Sequence, residues 1–144
     1  MRYDKTKYVQ LSKLGSKLNM SFSSHEVLGE KIIGLDGIKR KLIVLQTDQV
    51  NIIRLDEVNS ISVKKIYSSI KAEELKKREM HEFLNAIFLQ FAFKDARETF
   101  VLPFYEHDIN RSCDLPGLER KVKNWQAILS KMIARQNNKL VLEN

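Results

Sequence analysis

The chain has 144 residues, of which 43% are hydrophobic and 30% are charged. This length is typical of one domain with a substantial core, and the composition excludes a disordered chain. With 25 basic and 18 acidic residues the net charge is +7, so an anionic membrane surface or a nucleic acid is a natural partner to consider. Total charge alone does not indicate nucleic-acid binding, because a footprint requires basic residues clustered on one face.

The single cysteine, Cys113, excludes an internal disulfide and suits a reducing compartment. No stretch approaches the roughly 18 apolar residues of a membrane-spanning helix. The first 20 residues have neither the continuous apolar core nor the small-residue cleavage site of a signal peptide. We therefore predict a cytoplasmic protein.

Residues 1–20 are rich in positive charge and carry apolar residues at near-helical spacing. The lysines are Lys5, Lys7, Lys13 and Lys17, and the apolar residues are Tyr8, Leu11, Leu14 and Leu18. The pattern predicts a short basic amphipathic helix that ends near Gly15 or Asn19. Docking of this helix on the rest of the domain is favoured. The alternative is a juxtamembrane segment whose lysines contact anionic lipid headgroups.

After residue 20 the apolar residues recur at every second position, which is typical of strands. In "KIIGLDGIKRKLIVLQT" the Asp36-Gly37 dipeptide predicts a hairpin turn. "QVNIIRLDEVNSISVKKIYSSI" predicts two more strands, with a bend at Asp56-Glu57. The pattern breaks from Ser68 to Glu82, where "KAEELKKREMHE" is rich in charged residues and poor in apolar ones. This indicates an exposed loop or short helix rather than a binding site, since acids are interleaved with the bases.

Residues 83–107 predict the clearest hairpin in the chain. One face of its first strand is apolar and reads as core rather than as a base-stacking surface: Ile87, Leu89, Phe91 and Phe93. Lys94 to Arg97 supply the turn. Pro103 cannot donate to a ladder hydrogen bond, so the returning strand is expected at an edge or irregular there.

A C-terminal amphipathic helix is predicted after Asp114, a suitable N-cap, with Pro116 in the first turn. Its apolar stripe steps by four and three: Leu118, Val122, Trp125, Leu129 and Met132. Leu115, Ile128 and Ile133 widen the stripe. The lysines lie largely off it, so Trp125 is expected to be a core residue. Residues after Asn137 are expected to form a frayed tail.

Several antiparallel strands followed by one amphipathic helix predict a mainly β, α+β fold, in which a bent sheet or small barrel is closed by the helix. This order resembles the pleckstrin-homology-like superfold in "KIIGLDGIKRKLIVLQT", the hairpin around "KDARE" and the helix "LERKVKNWQAIL". The predicted organisation is a basic N-terminal segment (1–20), the pleckstrin-homology-like domain (21–137) with its charged excursion (68–82), and a tail (138–144).

The chain also resembles an uncharacterised family of Bacteroidetes proteins. "IKAEELKKRE", "LQFAFKD", "LPFYEHD" and "DLPGLERKVKNWQAILSKM" are similar to that family's recurring segments. Members often place a hydrophobic segment ahead of this domain, which faces the cytoplasm. The resemblance therefore implies tethering of some members to the inner membrane, by a segment that would precede Met1, and implies no activity.

The sequence contains little that indicates a catalytic or metal-binding site. His25, His81 and His107 fall in different segments, no glycine-rich phosphate loop is present, and no histidine is spaced to activate Cys113. We therefore expect neither an enzyme nor a cofactor. The favoured hypothesis is a non-catalytic interaction module for a protein partner or an anionic membrane surface. The candidate contacts are Lys5, Lys7, Lys13, Lys17, Lys39, Arg40 and Lys41, and the alternatives are a nucleic-acid-binding domain using Lys39–Lys41 with the last helix, and an enzyme with a dispersed site.

Overall fold

The computed structural model describes residues 5–47, 49–68, 73 and 83–143. The helices and strands, in chain order, are α1 (Lys5–Lys17), β1 (Ser24–Leu28), β2 (Lys31–Asp36), β3 (Lys41–Gln46), β4 (Gln49–Arg54), β5 (Val58–Tyr67), β6 (Leu84–Phe93), β7 (Phe100–Glu106) and α2 (Leu115–Glu143). Short 3₁₀ turns occur at Leu55–Glu57 and Ser112–Asp114. The chain divides into two compact units, Met1–Glu57 and Val58–Asn144.

The predicted α+β class is confirmed, because the described chain contains two antiparallel sheets and two helices. One sheet has the order β1-β2-β3-β4 and the other has the order β5-β6-β7. The strands that the structure describes do not close into one barrel. The charged excursion predicted at 68–82 lies almost entirely outside the described residues. The domain boundaries given above stay a prediction.

In the first unit, the sequence pattern missed one strand, β1. Ser24, His25 and Glu26 are polar, and the strand forms because Gly29 and Glu30 make a two-residue turn onto β2, which pairs Leu28 with Lys31. Gly29 has a φ of 62°, a backbone conformation that suits the first central residue of a tight hairpin turn.

The hairpin predicted at Asp36-Gly37 is confirmed, but its turn is longer than two residues. β2 pairs with β3 from Asp36–Lys41 onward, so the turn comprises Gly37–Arg40. The Asp36 carboxylate Oδ1 accepts hydrogen bonds from the amides of Ile38 and Lys39, at 3.0 and 2.9 Å. This local bonding of an aspartate side chain to the following amides sets the wider turn.

Helix α1 packs its apolar stripe on the first sheet. Leu11 is buried in a cluster with Ile32 and Ile43. The partly buried residues packed against this cluster are Tyr8, Leu14, Met20, Phe22, Val27 and Leu45. The favoured interpretation of the N-terminal segment, a helix docked on the domain, is therefore what the structure shows. Asn19, with a φ of 55°, ends the helix as predicted.

The ring of Phe22 lies between two glycines, Gly15 in α1 and Gly34 in β2. A Cβ added at Gly34 would lie 2.9 Å from Phe22 Cδ1, and one at Gly15 would lie 2.8 Å from Phe22 Cε2 and 3.2 Å from the Met20 carbonyl oxygen. Both distances to the ring are shorter than real Cβ contacts. The close approach of helix and sheet thus depends on the missing side chains.

We expect Gly15→Ala to destabilise the protein by about 1–2 kcal/mol, because overpacking costs roughly 1–3 kcal/mol and alanine regains roughly 1 kcal/mol of helix propensity. Ser12→Ala, at an exposed position of the same helix, is the control and should be neutral or stabilising. Chemical denaturation measures both. Replacing the Phe22 ring by a smaller side chain, in Phe22→Leu, should reduce the loss of stability caused by Gly15→Ala. A stabilising effect of Gly15→Ala would refute the packing described here.

In the second unit, β6 and β7 form the predicted hairpin. Ile87, Leu89 and Phe91 are fully buried, whereas Phe93 at the strand end is half-buried beneath the Arg97 guanidinium, 4.5 Å from the ring centroid. β7 is an edge strand, and its register with β6 shifts next to Pro103, as expected for a proline in a ladder.

Helix α2 packs against all three strands of the second sheet. Val122, Trp125 and Leu129 are buried, while Leu118 and Met132 are half-buried. The prediction that Ile128 widens the stripe is wrong: its side chain is 41% exposed. Ile128 lies about 100° around the helix from Leu129, outside the packed face. The helix continues to Glu143, beyond the predicted end at Asn137.

Candidate anionic-surface site

The basic residues of α1 divide between its two ends. Near the first end, the Lys7 ammonium is turned toward Glu30, 3.3 Å from the carbonyl oxygen and 3.6 Å from the carboxylate. Lys13 and Lys17 are exposed on the part of the helix turned away from the packed stripe. Lys5 begins the helix. Since Lys7 and Lys17 are ten residues apart, about 15 Å of helix separates them.

The β2–β3 turn brings Lys39 to the C-terminal end of α1, and two further basic residues, Arg40 and Lys41, follow it. The Lys39 ammonium donates to the Asn19 carbonyl oxygen. The Arg40 guanidinium bonds the Asp56 carboxylate, with Nε and Oδ1 3.0 Å apart. Lys41 opens β3 directly opposite Arg54 of β4. The turn is thereby joined to the helix end and to the 3₁₀ turn that follows β4.

Alternation along the strands places Lys41 and Arg54 on the α1 side of the sheet. Ile43 packs in the cluster with Leu11, and Lys41 lies two residues before it on the same face. Arg54 stands opposite Lys41 in the register, so it shares that face. We call Lys17, Lys39, Lys41 and Arg54 the basic tip.

The buried carboxylate of Asp36 joins the β2–β3 turn to the segment that follows α1. The side chain of Asp36 is 2% exposed, and besides the two turn amides it accepts a hydrogen bond from the Ser21 amide, at 3.0 Å. Donation by the Lys39 amide lowers the pKa of this carboxyl below its usual value, with further lowering by the Ser21 and Ile38 amides, although burial acts in the opposite direction. The ionised Asp36 carboxylate therefore stabilises the turn and the segment after α1.

The predicted surface residues do not form one patch. The structure brings Lys39 to the end of α1 at which Lys17 lies, and turns Lys7 toward the β1–β2 turn at the other end. Arg54 belongs to the basic tip and was missed. The register of β3 with β4 would have revealed it, but two strands of similar pattern can pair in more than one register.

Comparisons with protein-family models, with curated proteins and with solved structures found no match to this chain. Among the described residues, no helix combines the length and the apolar character needed to cross a membrane. The interpretation of the site therefore depends on its own geometry and charge.

The groups considered for catalysis or metal binding lie apart. The His25 ring contacts the Tyr8 ring edge-on, at 4.9 Å between centroids, and the His107 Nδ1 lies 3.4 Å from the Tyr105 hydroxyl. Cys113 is exposed, and His81 lies outside the described residues. No group of three histidine, cysteine or acidic side chains in the described part of the chain converges on a metal position.

A pocket of about 180 Å³ lies between the start of α1 and the turn ends of the first sheet. Its lining mixes polar and apolar side chains: Thr6, Lys7, Gln10, Glu30, Ile32, Leu45, Gln46 and Thr47. This volume is below the roughly 300–1,000 Å³ of typical small-molecule sites. The pocket does not by itself indicate a ligand.

Proposed function

We propose that this chain is a non-catalytic interaction module that binds an anionic membrane surface through its first unit. The observation that carries the proposal is the use of α1: its apolar stripe packs against the sheet, so Lys13 and Lys17 stay exposed on the opposite side of the helix. Lys41 and Arg54, which face each other across β3 and β4, add a second pair of basic residues in the same unit. A docked helix presents its charges at fixed positions, which suits a flat array of headgroups.

Two further considerations support this proposal. Two antiparallel sheets and a C-terminal helix packed on the second of them are compatible with a variant of the pleckstrin-homology-like fold, which we propose for the whole chain. The likeness to membrane-anchored Bacteroidetes proteins fits a position at the cytoplasmic side of the inner membrane. A protein partner with an acidic surface would use the same basic residues.

The alternative that the chain binds nucleic acid draws on the same charge. Lys39–Lys41 lie in the first unit, and the basic side of α2 lies in the second. The Lys39 ammonium and the Arg40 guanidinium are already engaged by Asn19 and Asp56, which weakens them as phosphate ligands. We therefore favour the membrane surface.

The test is co-sedimentation with phosphatidylcholine vesicles that contain or lack phosphatidylserine. We expect binding only to the anionic vesicles, weakened by added salt. Lys13→Gln with Lys17→Gln should weaken it about thirtyfold, since each basic residue near the surface contributes about 1 kcal/mol and about 1.4 kcal/mol corresponds to a factor of ten. Deleting α1 is a poorer test, because it would expose Ile32 and Ile43.

The matched control is Lys64→Gln with Lys131→Gln, which removes the same charge from exposed positions of the second unit. Equal losses for the two double variants would show that only net charge matters and would contradict a specific surface. Absence of binding to either vesicle, with affinity for duplex DNA at low salt, would favour the nucleic-acid alternative.

A further inference from the structure

The β2–β3 turn carries an exposed apolar side chain at its tip. Ile38 is 90% exposed, whereas the other exposed large apolar residues described in the first unit keep half or more of their surface covered. It is the second residue of a turn whose positions usually hold glycine, proline, asparagine, aspartate or serine. Neither turn formation nor packing in this chain accounts for an isoleucine there.

The turn that presents Ile38 is held on both sides. Its own amide and that of Lys39 donate to Asp36. On the other side, the Leu55 amide donates to the Arg40 carbonyl at 2.9 Å, and the Arg40 side chain bonds Asp56. Arg40 adopts a φ of 58°, uncommon for a residue with a side chain, and these two contacts hold it there. Ile38 is therefore displayed from a fixed position.

The charge around this apolar tip is positive. Lys41 and Arg54 are direct cross-strand neighbours, an arrangement of like charges that destabilises a sheet. Neither forms an ion pair with a described carboxylate. Asp36, opposite Lys41 on its other side, has both carboxylate oxygens bonded to amides. An external anion would relieve the repulsion between Lys41 and Arg54.

Part of the basic tip has a structural role. Lys39 and Lys17 lie at the C-terminal end of α1, where positive charge stabilises the helix. That role explains neither the Lys41–Arg54 pair nor the exposed Ile38. An apolar side chain within a group of basic residues is the combination that binds the headgroup region of an anionic bilayer, because the side chain enters the acyl boundary while the cations contact phosphates.

We propose that Ile38 inserts into the interface of an anionic phospholipid bilayer while Lys41 and Arg54 contact the headgroups. This inference rests on the proposed membrane function and names the element that enters the lipid. A nucleic acid would contact the cations but offers isoleucine no acyl region to enter. Insertion of Ile38 therefore distinguishes binding to a bilayer from binding to a nucleic acid.

The first experiment measures vesicle binding of Ile38→Ser against Ile109→Ser. Ile109 is also an exposed isoleucine in a turn, 73% exposed after β7, but it belongs to the second unit. On phosphatidylcholine vesicles with phosphatidylserine, Ile38→Ser should weaken binding about tenfold and Ile109→Ser less than twofold. Lys41→Gln with Arg54→Gln should weaken binding about thirtyfold, and more than Lys64→Gln with Lys131→Gln.

The second experiment reports insertion directly. In a Cys113→Ser background, Ile38→Cys carries an environment-sensitive fluorophore, and Ile109→Cys carries the same label as the control. The label at position 38 should shift to shorter wavelength on anionic vesicles, and the label at position 109 should not.

The outcomes separate the two proposals. If the unmodified protein binds neither vesicle, the membrane function and this inference both fail. If it binds anionic vesicles but Ile38→Ser binds equally and the label at position 38 stays in water, only the insertion of Ile38 is wrong. Equal losses for Ile38→Ser and Ile109→Ser would likewise overturn the insertion of Ile38.

Discussion

Trp125→Ala is expected to lower the free energy of unfolding by about 3–5 kcal/mol, the range for emptying a large core site. The indole is 4% exposed, on the face of α2 that packs against β5, β6 and β7. Val122 and Leu129, one turn away on either side, are fully buried, so the surroundings have little freedom to collapse into the space. Helical circular dichroism during chemical denaturation measures the loss.

Ile128→Ala is the matched control for this prediction. It removes an apolar side chain from the same helix, three residues further on, where the side chain is 41% exposed. We expect the free energy of unfolding to fall by less than about 1 kcal/mol, since little buried apolar surface is removed and no cavity is left in the core. Similar costs at positions 125 and 128, or an unchanged melting temperature for Trp125→Ala, would place the tryptophan on the surface.

Asp36→Ala is expected to destabilise the first unit by roughly 2–3 kcal/mol, because three amides lose a charged acceptor at a buried site. These amides belong to Ser21, Ile38 and Lys39, so the variant loosens both the β2–β3 turn and the segment after α1. Asp36→Asn should cost less, since its carbonyl oxygen still accepts. Chemical denaturation at neutral pH compares the three proteins.

The stabilisation by Asp36 should depend on pH in a defined direction. The bond from the Lys39 amide lowers the pKa of this carboxyl in the folded state, so the folded chain favours the ionised form. Its contribution is complete above the unfolded pKa of about 3.9 and is lost as the pH falls through the lower folded value. The difference in unfolding free energy between the unmodified protein and Asp36→Asn should therefore shrink below about pH 4.

Asp56→Asn provides the control, because its carboxylate pairs with Arg40 at the surface. Exposed ion pairs contribute about 0–1 kcal/mol, so this variant should show a small loss at neutral pH. A difference between Asp36→Asn and the unmodified protein that stays constant from neutral to acidic pH would contradict the role given to the Asp36 charge.

Much of the fold could be predicted from periodicity and turn chemistry. The apolar stripe through Val122, Trp125 and Leu129 follows from helical spacing, and the β6–β7 hairpin follows from alternating phenylalanines and leucines. Pro103 marked the edge strand because it lacks an amide donor. β1 was not predicted because its polar residues lack the alternating pattern of a strand. It forms through backbone pairing with β2, which the local sequence does not reveal.

The candidate site was less predictable than the fold. The basic residues are visible in the sequence, but the basic tip depends on which of them meet. Lys39 reaches Asn19 across 20 residues of chain, and Arg54 joins Lys41 only through the β3–β4 register. The wider turn at Gly37–Arg40, which exposes Ile38, follows from hydrogen bonds of Asp36 rather than from the Asp36-Gly37 dipeptide alone.

The sequence by itself determined the element types, the apolar faces and the excess of positive charge, because these depend on residue spacing and composition. Only the tertiary structure decided that α1 packs on the first sheet, that the strands form two sheets, that Lys39 reaches the end of α1 and that Lys41 lies opposite Arg54. Strand register, turn length and helix docking bring together residues far apart in the chain. Their energies come from contacts that no local pattern records.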